Sequence, residues 1–166
     1  VHDVRQIYDQ LGSRVFVFAY RLTGARAAAE DVTQETFAAL LRGTARYDSE
    51  RGELLSFLFG VARNIALKRQ RTESRWLLAD DGESPCLEAV QPAGQETRVM
   101  VAQAVGALPP LQREALVLAE YEGCTLKEIA VIVEAEVGTV KARLHRAREN
   151  LRRALSPLET LEESRR

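Results

Sequence analysis

Between Gly138 and Arg153 six cations, Lys141, Arg143, Arg146, Arg148, Arg152 and Arg153, face a single acid, Glu149, a local charge of +5. A second block, Arg63, Lys68, Arg69, Arg71 and Arg75 against Glu73, carries +4. Guanidinium and ammonium groups at such density neutralise phosphates, and an Arg or Lys that reaches a base edge can bond guanine O6 and N7. That is recognition chemistry, not catalysis. The only histidines are His2 and His145, and no nucleophile–base pair or metal-ligand cluster accompanies them. The expectation is therefore no enzymatic activity, no catalytic residue, no cofactor and no metal.

The elements around the stronger block read as a helix-turn-helix. Thr125 and Glu128 have the spacing of a capping box, which satisfies backbone N–H groups at a helix start. A break follows at Glu134-Ala135-Glu136, and a longer helix begins near Gly138-Thr139. Val140, Leu144, Ala147 and Leu151 recur at i, i+4, i+7 and i+11, so they share the inward face. Lys141, Ala142, His145, Arg146 and Glu149 lie to one side of that face, where a major groove would meet them. Two positions depart from the ideal. Glu134 occupies the turn, where a left-handed backbone favours Gly, and Glu136 is a poor N-cap.

Upstream, helical spacing predicts Asp3 to Leu22, about Ala27 to Arg42, about Glu53 to Arg75, Glu96 to Ala107, and Leu111 to about Tyr121. Asp31, Gln34 and Glu35, at i, i+3 and i+4, form one polar ridge on the second of these. Residues 79–94 hold Gly82, Pro85, Pro92 and Gly94 among acids and lack periodicity, which reads as a flexible acidic linker. No stretch alternates as a strand does. The fold class expected is all-α, two small helical domains joined by that linker, with boundaries at 1–76, 77–95, 96–155 and a tail, 156–166.

A net charge of −1 argues on average against a nucleic-acid binder, but the average conceals two basic blocks separated by an acidic one. Hydrophobic residues make up 46% of the chain, enough for a core, and aromatics only 6%, which suits helices packed through Leu, Val and Ala. Cys86 and Cys124 are too few and too far apart for a zinc motif, and read as unpaired thiols. No apolar run nears the ~20 residues of a membrane span and no signal-peptide pattern is present. The expectation is a cytoplasmic protein without membrane insertion.

AEDVTQETF at Ala29 to Phe37, FLFGVARN at Phe57 to Asn64, ALPPLQREALVLAEYEGCTLKEIA at Ala107 to Ala130 and the helix-turn-helix follow one another in fixed order. In that order they resemble the sigma-70 family of bacterial RNA polymerase sigma factors, most closely its short extracytoplasmic-function (ECF) subfamily, which keeps only regions 2 and 4. The resemblance implies a subunit that binds core RNA polymerase through the β′ clamp and the β flap, directs promoter recognition at the −10 and −35 elements and assists melting. It implies promoter DNA as a partner and an anti-sigma factor as another. Transferred by position, Asp31, Gln34 and Glu35 would dock on the β′ clamp. Thr139, Lys141, Ala142, Arg143, His145, Arg146 and Arg148 would face the −35 element. Tyr47 and Arg51, from the loop Tyr47 to Gly52, would serve the −10 element with Arg63, Asn64, Lys68, Arg69 and Arg71. Phe57 replaces the family's usual Trp, and Ala142 a frequent Ser. Two other readings compete. A sigma-like decoy would sequester an anti-sigma factor, but the retained Lys141, Arg143 and Arg146 argue against it. A stand-alone helix-turn-helix regulator leaves the first domain unexplained.

Overall fold

The structure is a computed structural model that describes residues 3–77 and 96–163, with side chains described over 3–72 and 96–156. The linker expected at 79–94, with Cys86, lies outside the described residues. The described residues form helices and turns without strands. Three helices make the N-terminal module: α1 (Val4–Thr23), α2 (Arg26–Leu41) and α3 (Leu54–Leu77). Four make the C-terminal module: α4 (Glu96–Gly106), α5 (Pro110–Leu116), α6 (Leu126–Ile132) and α7 (Val137–Glu163). The expected boundaries fall within two residues of these, with two exceptions. The fifth helix continues as a π-helical turn, Val117–Tyr121, and α7 runs on through most of what reads as a tail.

Local chemistry explains where these helices start and stop. Asp3 caps α1 by accepting from the Arg5 N–H, and Pro110 occupies the first turn of α5, where an N–H is not needed. Thr125 and Glu128 form the expected capping box on α6. The Thr125 N–H and hydroxyl donate to the Glu128 carboxylate at 2.7 and 2.8 Å, holding that carboxyl below its ordinary range. At the end of α2 the chain turns out through Gly43 at φ 69. The Gly43 N–H donates to the Leu40 carbonyl and the Thr44 N–H to Ala39, closing a Schellman motif.

The same motif ends α6, with the Glu134 N–H donating to Val131 and the Ala135 N–H to Ala130. Here the left-handed position is Glu134, at φ 53, so the turn the sequence marks as unusual is built with an L side chain where Gly is cheapest. Glu134→Gly should stabilise the module by about 0.5–1 kcal/mol, the left-handed cost less glycine's extra unfolded entropy. Urea midpoints of the two proteins would measure it; a destabilised variant would mean that the Glu134 side chain contributes more than its backbone costs.

The N-terminal core is built from α1, α2 and α3, with Val15, Phe18, Val32, Leu58 and Ala62 fully buried and the Phe18 and Phe59 rings 4.5 Å apart. Thr33 and Thr36 enter this core because their hydroxyls donate to the Ala29 and Val32 carbonyls one turn back, each at 2.7 Å. In the C-terminal core Val140, Leu144 and Ala147 of α7 meet Val117, Leu118 and Ile129, as the spacing predicts.

The two domains expected from the sequence are present, and their described residues are in contact. Arg113 of α5 donates to the Leu22 carbonyl at the end of α1 at 2.7 Å, and also to the Leu108 and Gly106 carbonyls. Arg14 and Arg21 of α1 both pair with Glu122, at 3.2 and 3.6 Å, and the Arg21 guanidinium lies 4.1 Å from the centre of the Tyr121 ring. Charge segregation along a sequence says nothing about such cross-module pairs.

Candidate nucleic-acid and partner surfaces

Burial of Val140, Leu144 and Ala147 turns the other side of α7 to solvent. Thr139, Lys141, Ala142, His145 and Arg146 are all exposed, and the last four, at i, i+1, i+4 and i+5, form one strip. No ion pair engages Lys141 or Arg146 among the described residues. Glu136 holds the N-cap place of α7, where its carbonyl accepts from Val140 at 3.1 Å.

Arg143 and Arg148 do not belong to that strip. Arg143 is on the inward shoulder of α7, its side chain 20% exposed and its Nη1 3.7 Å from a Glu114 carboxylate oxygen. That distance is an electrostatic contact, not a hydrogen bond, and the Nη1 atom is buried without a hydrogen-bond partner. Arg148 donates twice to Glu120 across the module surface, at 3.1 and 2.6 Å, with both side chains half-exposed. Such a pair is worth at most about 1 kcal/mol, so Arg148 can be released to another anion.

The N-terminal block divides similarly. Lys68 and Arg71 are exposed along α3. Arg63 is the clear correction. It is 8% exposed, and its guanidinium donates to both Glu114 oxygens, Nε at 2.7 Å and Nη2 at 3.0 Å. In this conformation it cannot meet DNA. The physical reason was visible in its spacing, since Arg63 shares a stripe with buried Phe59 and Ala66 at i−4 and i+3. Asn64 is exposed and accepts from Arg63 Nη1 at 3.2 Å.

Arg69 is partly exposed and reaches along the module toward α2. It donates to Asp31 at 3.0 Å and to Glu35 at 3.4 Å, joining α3 to the polar ridge of α2. The ridge itself is intact. Asp31 and Gln34 are exposed and Glu35 is half-buried. Arg69 thus ties α3 to the ridge expected to meet a partner.

Between the modules lies a cleft of about 310 Å³. Tyr47, Arg51 and Asn64 line one wall, and Val131, Ile132 and Glu134 of the helix-turn-helix the other. Tyr47 packs 5.6 Å from the Phe57 ring, and its hydroxyl donates to the Gly52 carbonyl, which fixes the loop. Asp48 caps the single 3-10 turn Ser49–Arg51 inside that loop by accepting from the Glu50 N–H.

Three residues central to this arrangement escape a motif-based reading: Glu114, Glu122 and Arg113. Glu114 did carry a signal, because it is an acid on the stripe of Val117 and Leu118. Cys124 is half-buried, and burial followed by the Glu128 and Glu122 carboxylates pushes its thiol up to about 11. It is a thiol, not a thiolate, at neutral pH. No group of acidic, His or Cys side chains among the described residues could hold a metal ion, and no described helix is long and apolar enough to cross a membrane.

Comparison with known proteins accounts for both modules. Residues 7–75 match the model of sigma-70 region 2, and residues 98–151 that of sigma-70 region 4. The chain is 33% identical over 155 residues to the ECF RNA polymerase sigma factor SigE of Mycolicibacterium smegmatis, covering 89% of this chain but 59% of that protein. It is 30% identical over 158 residues to the ECF RNA polymerase sigma factor SigK of Mycobacterium tuberculosis, covering 90% and 84%. Among solved structures it is similar to the sigma factor RpoE of Bartonella quintana in complex with the anti-sigma factor NepR, with a TM-score of 0.78, 27% identity, and coverage of 94% of this chain and 98% of that one.

Proposed function

The chain belongs to the sigma-70 family of RNA polymerase sigma factors, in its extracytoplasmic-function branch, and from that premise we propose how it works. It binds core RNA polymerase through the ridge Asp31, Gln34 and Glu35 on the β′ clamp, with a second contact to the β flap from the C-terminal module. It directs that polymerase to promoters and carries no chemistry of its own. Residues 1–76 act at the −10 element and residues 96–155 at the −35 element. The observation that carries this reading is the strip Lys141, Ala142, His145 and Arg146, solvent-facing on a helix whose opposite face is buried, in the same chain as a region 2.

Geometry supports a division of roles within each surface. Lys141 and Arg146 read bases, because they are extended donors on the exposed strip. Arg148, Arg152 and Arg153 clamp phosphates, because they lie farther along α7. At the −10 element Tyr47, Arg51 and Asn64 take an unstacked base, and Lys68 and Arg71 follow its strand. An aromatic face there offsets the cost of unstacking. A partner of the anti-sigma class is part of the reading, as the RpoE structure was solved with one.

The test is transcription by polymerase reconstituted with this chain. Genomic fragments should yield promoter-dependent transcripts, and their absence from every fragment would end the proposal. On a promoter so found, Arg146→Ala should lose about 1–3 kcal/mol of discrimination at one −35 base pair. Arg152→Ala should weaken binding to all −35 variants alike. Equal loss of specificity in the two would undo the division between base reader and phosphate clamp.

A further inference from the structure

Arg143 stands among the cations of α7 yet apart from its exposed strip, and a second polar residue shares its flank. Arg143 and Asn150 are two turns apart, so they lie on one edge of the helix, beside the buried Val140, Leu144 and Ala147. Both reach α5. The Arg143 guanidinium faces the Glu114 carboxylate at 3.7 Å, and the Asn150 amide donates to the Gln112 side-chain oxygen at 2.8 Å. Glu114 is a fixed point, 1% exposed and held by two hydrogen bonds from Arg63. The Arg143 Nη1 atom is buried beside it. A guanidinium so placed stays with the acid, because without it the charge would be stranded away from water.

We propose that Arg143 and Asn150 are positioning residues, which tie α7 to α5 and so set the roll at which Lys141, Ala142, His145 and Arg146 meet the bases. The base-reading half rests on the promoter reading above; the roll is a property of the chain alone. Apolar burial is non-directional, so the stripe of Val140, Leu144 and Ala147 tolerates rotation about the helix axis. Polar ties do not, because a hydrogen bond weakens steeply with distance and angle. The opposite flank carries a third tie, Arg148 on Glu120, but Arg148 is the residue assigned above to phosphate. Once it leaves, the α5 flank alone opposes rotation. Side-chain tips lie about 5–6 Å from a helix axis, so a roll of about 20° carries each tip about 2 Å sideways. Two donors of one guanidinium then no longer reach O6 and N7 of the same guanine. Every reader on the strip shifts together, whereas truncating one reader affects one base pair.

Three variants of the full chain test the pair of ties. Arg143→Gln removes the charge that faces Glu114, and Gln112→Ala removes the acceptor of Asn150 without altering α7. Gln112→Glu keeps an oxygen for the Asn150 amide. Residual dipolar couplings of backbone N–H groups oscillate with the helix period, and their phase along α7 reads its roll against α5. That phase should move by more than the ~10–20° that a binding site tolerates in Arg143→Gln and Gln112→Ala, and stay in Gln112→Glu. With reconstituted polymerase on its promoter, a bidentate reader discriminates about 5- to 150-fold at its base pair. Arg143→Gln and Gln112→Ala should each lose about fivefold or more at two or more −35 pairs, and Gln112→Glu should retain the wild-type preference. The salt slope should be unchanged in all three, because Arg143 neutralises no phosphate. Should Arg143→Gln fail to fold, Gln112→Ala decides alone. An unmoved phase, a moved phase with discrimination intact, or a salt slope shallower by about 0.9 in Arg143→Gln would each overturn the proposal. Failure of the polymerase to initiate would instead defeat the promoter reading, and the couplings would still decide the roll.

Discussion

Glu114→Ala should destabilise the C-terminal module by about 3–5 kcal/mol, far more than any exposed charge in the chain. The carboxylate is almost fully buried and serves two guanidinium groups, so truncation strands both in a place that water reaches poorly. The cost is the desolvation of unpaired cations rather than the worth of the pair itself. The comparison within the same protein is Glu120→Ala. Its partner Arg148 is 55% exposed, and that loss should stay under about 1 kcal/mol. Urea midpoints at constant slope would measure both. If the two substitutions cost the same, Glu114 is solvated in solution and the seam between modules is not closed.

Salt dependence of DNA binding distinguishes the structural reading of α7 from a plain count of its charges. Six phosphate-bound cations would give a log–log slope near −5.4, hence a loss of roughly 1,800-fold between 50 and 200 mM salt. The structure withdraws Arg143 into contact with Glu114, and pairs Arg148 with Glu120 and Arg152 with Glu149. Lys141, Arg146 and Arg153 have no ion-pair partner among the described residues. Of the three residues read as phosphate clamps, Arg153 alone gives a slope near −0.9, and adding the exposed pairs of Arg148 and Arg152 brings it to about −2.7. The expected loss is therefore roughly 3- to 40-fold over that interval. Fluorescence anisotropy on promoter DNA at five salt concentrations would measure it. A slope clearly steeper than about −3 would require further cations, Arg143 released from Glu114 or the base readers Lys141 and Arg146, to bind phosphate.

Helix positions, the capping box and the inward face of α7 were legible because each depends on neighbours within four residues. A capping box is a hydroxyl and a carboxylate three apart, and an amphipathic face is a 3.6-residue period. Glu134 was legible for the same reason: a Schellman turn has one left-handed position, and the sequence places a Glu there. The cations were harder. Lys141, Arg146, Lys68 and Arg71 are exposed as their density suggests, whereas Arg63, Arg69 and Arg143 are claimed by acids elsewhere in the fold.

Those claims span long separations. Arg63 meets Glu114, 51 residues on, and Arg14 meets Glu122, 108 residues on. Charge counts over a window cannot anticipate them, because a buried pair depends on which stripes meet in space. Arg63 beside Phe59 and Ala66, and Glu114 beside Val117 and Leu118, were each an anomaly on an apolar stripe, and neither named its partner.

Short-range spacing, then, was enough to read the helices, the turn and the outward face of α7, while the family was read from the resemblance of four motifs in their order along the chain. Only the tertiary structure decided which cations remain free for an anionic partner and that the two modules close on one another. Those outcomes depend on burial: a charge leaves water only where an opposite charge is brought to meet it, and the packing of distant helices sets where that is.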